Sequence, residues 1–190
     1  MSESRVRITF VSHGATPAVR RAAFPLNEGL EEAELAKIAG LGWSAPRVQQ
    51  VLCGPERRAI ETAQALGLEP VESMALRDCE YGEWRGRGLE ELQVEDPDGL
   101  MAWLVDPEAA PHGGESVGML VNRVGRWMQE RVDTGHTLAV THSAVIRAAV
   151  VEAMGAPLTG FWRVDVAPLT VTDLRFNGRV WTVRGVGARL

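Results

Sequence analysis

The order of apolar patterns along this 190-residue chain points to an α/β sandwich built on a mostly parallel sheet. Three observations carry that expectation. Short strand-like runs alternate with amphipathic helical stretches. The first three of those runs each stop at a loop that opens on Gly or His within two residues. One antiparallel hairpin, marked by Asn177-Gly178, closes the C-terminal end.

Each element has its own reason. Arg5 to Val11 alternates polar and apolar residues and then runs apolar, a strand pattern, and Ser12 to Pro17 follows as loop. Glu28 to Leu41 places Leu30, Leu35, Ile38 and Ala39 at helical spacing, with Gly40 and Gly42 as the stop. Val48 to Cys53 reads as a second strand, broken by Gly54-Pro55, and Glu56 to Leu66 as a helix ending at Gly67. Leu76 to Gly88 mixes charge, Gly and aromatics and reads as an irregular loop, with short helices over Leu89 to Val94 and Gly99 to Val105. The loop Pro111 to Ser116 leads into a helix over Val117 to Val132. His136 to Thr141 is a third strand, and Ala144 to Met154 an apolar helix closed by Gly155. Leu169 to Phe176 and Arg179 to Arg184 form the hairpin. No repeat or linker divides the chain, so residues 1–190 read as one domain.

Composition narrows the function. Twenty Lys and Arg against 25 Asp and Glu give a net charge of −5 with no basic block, which argues against a nucleic-acid partner. Lys37 is the single lysine, in a helical surface segment, so Schiff-base chemistry has no good candidate. Any anion site must use arginine, histidine and backbone N–H groups. The N-terminal residues lack a long apolar region, and the most apolar stretch carries Arg147 and Glu152, so a cytoplasmic protein without membrane contact is expected. Cys53 and Cys79 read as buried free thiols. The four histidines lack i, i+4 spacing and no Cys-x-x-Cys occurs, so no metal site is expected.

His13 follows the first strand and His142 the third, and Arg57 and Arg58 open the helix after the second. In open α/β sheets ligands bind beyond the carboxyl ends of the strands. Two imidazoles, a planar guanidinium and helix-terminal N–H groups at one sheet edge suit a phosphoryl group. The bland readings stand beside this one. His13 and His142 can be strand-end histidines with hydrogen-bonded rings. Arg58 can be a surface arginine paired with Glu61, Asp78 a turn-capping carboxylate, and Glu115 a first-turn helix acid. His112 and His136 read as exposed loop residues, and the tryptophans as core or pocket wall.

Four segments carry a resemblance. They are Val11-Ser12-His13-Gly14-Ala15-Thr16, Cys53 to Ala63 (with Glu56-Arg57-Arg58-Ala59), Leu76 to Trp84, and Val140-Thr141-His142-Ser143-Ala144-Val145-Ile146-Arg147. Together, in this order, they resemble the motifs of the histidine phosphatase superfamily, the phosphoglycerate mutase-like group. Pro111 to Ser116 resembles a Gly-Gly-Glu-Ser segment of its small phosphatase branch. The resemblance implies a three-layer α/β/α sandwich and a phosphatase acting on a small phosphorylated molecule through a phosphohistidine, without cofactor. It implies that His13 takes the phosphoryl group, that Arg58 clamps it and that His142, as the imidazolium, donates to its oxygens. Asp78 matches the general acid, with Glu80 and Glu83 as alternatives, and such an acid needs a raised pKa. Thr16, Glu115 and Ser143 are carried as substrate-binding candidates.

One departure matters most. The family begins its first motif with Arg-His-Gly, and this chain has Ser12-His13-Gly14. Arg20 and Arg21 are the nearby candidates to replace the missing charge, with Ser12 itself offering a hydroxyl. Ser143 stands where the family usually has glycine. Besides the phosphatase, three readings stay open: a phosphate-ester-binding protein with impaired turnover, a repurposed enzyme of the same fold, and a phosphoglycerate-type mutase.

Overall fold

The computed structural model describes residues 6–190, so Arg5 of the first expected strand lies outside the described residues. Six strands form one sheet: β1 (Val6–Ser12), β2 (Gln50–Cys53), β3 (Val71–Glu72), β4 (His136–Thr141), β5 (Thr170–Phe176) and β6 (Trp181–Arg189). Their spatial order is β3-β2-β4-β1-β5-β6. The first four are parallel, and β5 and β6 add the antiparallel hairpin.

Helices cover both faces: α1 (Pro17–Arg20), α2 (Glu32–Ala39), α3 (Arg57–Ala65), α4 (Leu89–Glu95), α5 (Pro97–Val105), α6 (Val117–Gln129) and α7 (Ser143–Met154). Successive residues of a strand point to opposite faces. Ile8 and Phe10 therefore pack with α6 and α7, whereas Val11, Leu138 and Val140 pack with Ala63 and Ile60 of α3. The result is the three-layer α/β/α sandwich. A third, separate cluster joins Phe24, Trp84, Leu92, Leu100 and Trp103. No helix among the described residues is long and apolar enough to cross a membrane.

Some boundaries differ from the pattern-based reading. The helix expected from Glu28 begins at Glu32, because residues before it are drawn onto α3: the Leu30 N–H donates to Glu61 at 2.6 Å. A short helix, α1, occupies loop sequence and is capped by Thr16, whose hydroxyl accepts from the Val19 N–H. Strand β3 has only two residues, too few to leave a periodic signal.

Candidate active site

The parallel register aligns the carboxyl ends of three strands: Ser12 pairs with Thr141, and Cys53 with Val140. The ladder runs on past them, with the His13 N–H donating to Thr141 O and the Gly54 N–H to Val140 O, each at 3.0 Å. His13 and His142 are thereby fixed side by side, their ring centroids 5.1 Å apart. A cavity of about 320 Å³ opens here, lined at its base by His13, Arg58, Asp78 and Ser143.

His13 Nδ1 lies 2.7 Å from the Gly14 carbonyl. A carbonyl only accepts, so Nδ1 carries the proton and Nε2 keeps its lone pair. Burial, then the charges of His142 and Arg58, bring the pKa of His13 from 6.5 down to about 3. The ring is neutral at physiological pH, as a nitrogen nucleophile must be.

Arg58 is buried in the first turn of α3, so it is not the surface arginine; Arg57 plays that part with Glu61 at 2.9 Å. The Arg58 guanidinium donates to Leu26 O at 2.9 Å and to Asp78 Oδ2 at 2.7 Å. Burial alone would raise the pKa of Asp78. The charges of His142, Arg58 and His13 more than offset it and hold the carboxyl below its ordinary range. This corrects the expectation of a raised value. The acids meant to raise it, Glu80 and Glu83, are exposed and do not line the cavity.

His142 is almost wholly buried and lies against His13 and Asp78 rather than on the cavity wall. Its Nδ1 is 3.5 Å from Asp78 Oδ2 and its Nε2 is 2.7 Å from Glu56 Oε2. Burial pushes the Glu56 carboxyl up, but its hydrogen bond and attraction to His142 bring it below the usual value. Sequence reasoning missed Glu56, because its partner lies 86 residues away. Gly54 is the local signal that could have found it. A Cβ there would sit 2.8 Å from both His142 Nε2 and Leu76 O, so only glycine lets this pair close.

Several expected ligands are elsewhere. The Ser12 hydroxyl donates to Ala167 O at 2.6 Å and accepts from the Thr170 N–H at 3.0 Å, so it fastens β1 to the start of β5 and does not reach the cavity. Arg20 is held by Glu31, Glu34 and Ala15 O, and neither it nor exposed Arg21 lines the cavity. Glu115 is also withdrawn. Both its oxygens accept from Arg123 at 2.8 Å, and the same guanidinium donates to the carbonyls of Ala75, Arg77 and Asp78, so this pair braces the acid loop from behind. Thr16 and Ser143 do line the cavity, Thr16 while capping α1.

His112 is not exposed. It packs edge-on to Trp84 at 5.0 Å, and burial lowers its pKa. His136 is half-buried, bonded to Thr9 and Arg47. Among the described residues no group of three or more His, Cys, Asp or Glu side chains is disposed to hold a metal. Both cysteines are buried and free, and burial raises both thiols, Cys53 to about 11.

Residues 8–189 match the family model of the histidine phosphatase superfamily, branch 1. The chain belongs to that superfamily. Among curated proteins it is 29% identical over 187 residues to a bifunctional protein of Mycobacterium tuberculosis, an alignment covering 90% of this chain and 51% of that one. The chain thus spans about half the length of that relative. It is 27% identical to the adenosylcobalamin/alpha-ribazole phosphatase of Escherichia coli, with 97% of each covered. Among solved structures, the mycobacterial glucosyl-3-phosphoglycerate phosphatase complexed with VO3 superposes with a TM-score of 0.84 at 23% identity, covering 96% of this chain and 99% of that one. That likeness shows the histidine phosphatase fold.

Proposed function

We propose that this histidine phosphatase superfamily member hydrolyses a small-molecule phosphomonoester through a phosphohistidine on His13. One observation carries the reading: His13 is held neutral, its Nδ1–H donated to Gly14, beside Arg58 and Asp78 on one cavity and 5.1 Å from the His142 ring. His13 Nε2 attacks phosphorus in line while the bond to the leaving oxygen breaks. Arg58 and the nearby charge of His142 spread the developing charge on the phosphoryl oxygens. Arg58 Nε, a buried donor without an acceptor, is suited to that task, and so is His142 Nδ1 in the imidazolium form of the ring.

Asp78 is ionised in the free protein, so its protonation is coupled to substrate. A phosphoryl group on the free Arg58 Nε offsets the cation that holds Asp78 ionised and sets an anion beside it. The carboxylate then takes up a proton from solvent and gives it to the leaving oxygen. In the second half, Asp78 takes a proton from water as that water attacks phosphorus. The P–N bond breaks, phosphate leaves, His13 regains its lone pair and Asp78 returns its proton to solvent.

The test is transfer of labelled phosphate from a phosphomonoester to the chain, as an acid-labile, base-stable adduct absent in His13→Ala. Turnover that survives His13→Ala intact overturns the reading. The position of Ser12 favours a second reading, a phosphate-ester binder with slow turnover, since no second guanidinium is delivered from β1 to the phosphoryl group. Micromolar affinity for orthovanadate without labelled adduct would select it.

A further inference from the structure

Above its polar base the cavity changes character. Its walls are Phe24, Tyr81, Trp103 and Trp162, with Val19 and Leu89 beside them. The rings pack on one another: Phe24 to Tyr81 at 4.9 Å, Phe24 to Trp103 at 5.4 Å and Trp103 to Trp162 at 4.5 Å. Flat apolar groups lose little by docking against such walls. A polyhydroxylated alcohol would leave hydroxyls unpaired against them.

One charge interrupts this wall. Arg147, one turn into α7 from Ser143, lines the same cavity. Its Nε donates to Val164 O at 2.8 Å, and its guanidinium carbon lies 6.0 Å from the Phe161 ring and 5.9 Å from the Trp162 ring. Arg58, the other cavity guanidinium, is committed to Asp78 and Leu26. Among the described residues, Arg147 has no carboxylate partner, and neither terminal nitrogen of its fork has an acceptor. Its place is toward the aromatic end.

We propose that the cavity selects a phosphomonoester whose alcohol part is flat and apolar and carries a second anionic group, a carboxylate by preference, seated on the Arg147 fork. A planar fork matches a carboxylate with two parallel hydrogen bonds, and desolvation between rings strengthens both. This rests on the phosphatase reading for its phosphoryl end, yet its test needs no turnover.

Titration calorimetry of the full chain with three non-hydrolysable phosphonates tests it: benzylphosphonate, 4-carboxybenzylphosphonate and 2,3-dihydroxypropylphosphonate. The carboxylated ligand is expected to bind about tenfold or more tighter than benzylphosphonate. The dihydroxypropyl ligand binds weakest. Arg147→Leu removes the carboxylate advantage and leaves benzylphosphonate unchanged. Equal loss for both aromatic ligands would put Arg147 on the phosphoryl group and overturn the proposal. Dihydroxypropylphosphonate binding as tightly as benzylphosphonate, or no phosphonate binding at all, would do so too. Should Arg147→Leu fail to fold, the carboxylate-to-benzyl ratio in the unaltered chain decides. Failure of the phosphatase reading shows separately, as no labelled adduct from any ester while the affinities keep their order.

Discussion

Ser12→Ala removes one hydroxyl and leaves the backbone of β1 free to stay where it is. The structure says what that hydroxyl holds. It donates to Ala167 O at 2.6 Å and accepts from the Thr170 N–H at 3.0 Å. Ala167 O keeps a second donor, the Thr170 hydroxyl at 2.8 Å. The Thr170 N–H, at a residue only 5% exposed, keeps none. A buried donor left unpaired costs about 1–3 kcal/mol. For a chain of this size each kcal/mol lowers Tm by about 2–4 °C, so a fall of roughly 2–12 °C is expected. Scanning calorimetry reads it directly. Activity per folded molecule toward a phosphomonoester is expected to stay within about twofold, since the hydroxyl does not face the cavity. An unchanged Tm with a kcat/KM about tenfold lower would refute this reasoning and return Ser12 to the phosphoryl group. Ser12→Arg extends the test. It drives a guanidinium into the seam between β1 and the Ala167–Thr170 turn, so it should lower Tm further and restore no turnover.

Three further outcomes are expected. Asp78→Asn lowers kcat/KM by about 10²–10⁴-fold for an alkyl phosphate and far less for 4-nitrophenyl phosphate, whose leaving oxygen needs no proton; equal losses would deny Asp78 the acid role. His13 takes no proton in the folded chain until about pH 3, against 6.5 when unfolded, so the unfolded state binds the extra proton between these values and stability falls as pH drops through that window, by up to about 1.4 kcal/mol per pH unit. Asp78 and Glu56, both depressed, stabilise above their unfolded values and lose that contribution as pH falls below them. The Tm difference between the unaltered chain and His13→Gln should therefore change steadily from pH 7 to pH 5, and a constant difference would mean that His13 titrates normally. Gly54→Ala places a methyl 2.8 Å from His142 Nε2 and 3.0 Å from Glu56 Oε2, so it parts this pair and kcat should fall about tenfold; full activity would make the pair dispensable.

What could be read from the chain depended on range. Strands β1 and β4 and helices α6 and α7 carry local periodic patterns, and their ends fall within a few residues of the expected places. His13 and His142 were legible because each sits where a periodic run stops. The partners that tune them were not, since Glu56 and His142, or Arg123 and the carbonyls of Ala75, Arg77 and Asp78, meet only through tertiary packing. Ser12 misled for the same reason: its hydroxyl is claimed by Ala167 and Thr170, more than 150 residues away. His112 misled through composition. Pro111-His112-Gly113-Gly114 reads as solvent loop, yet it packs across the acid loop, where the Glu83 N–H donates to His112 O at 2.9 Å.

The aromatic cluster of Phe24, Trp84, Leu92, Leu100 and Trp103 is distinct from the cores that support the sheet, and Tyr81 and Trp162 bridge it to the larger of them. Its link to the segment after α1 is a set of main-chain bonds: Phe24 N to Arg87 O, Gly86 N to Phe24 O and Leu89 N to Ala22 O. Backbone stitching of this kind is indifferent to which side chains face inward. Recognition and chemistry are thus free to change at different paces: drift at Trp103 or Leu89 can reshape what is admitted while the strand-end histidines keep their alignment.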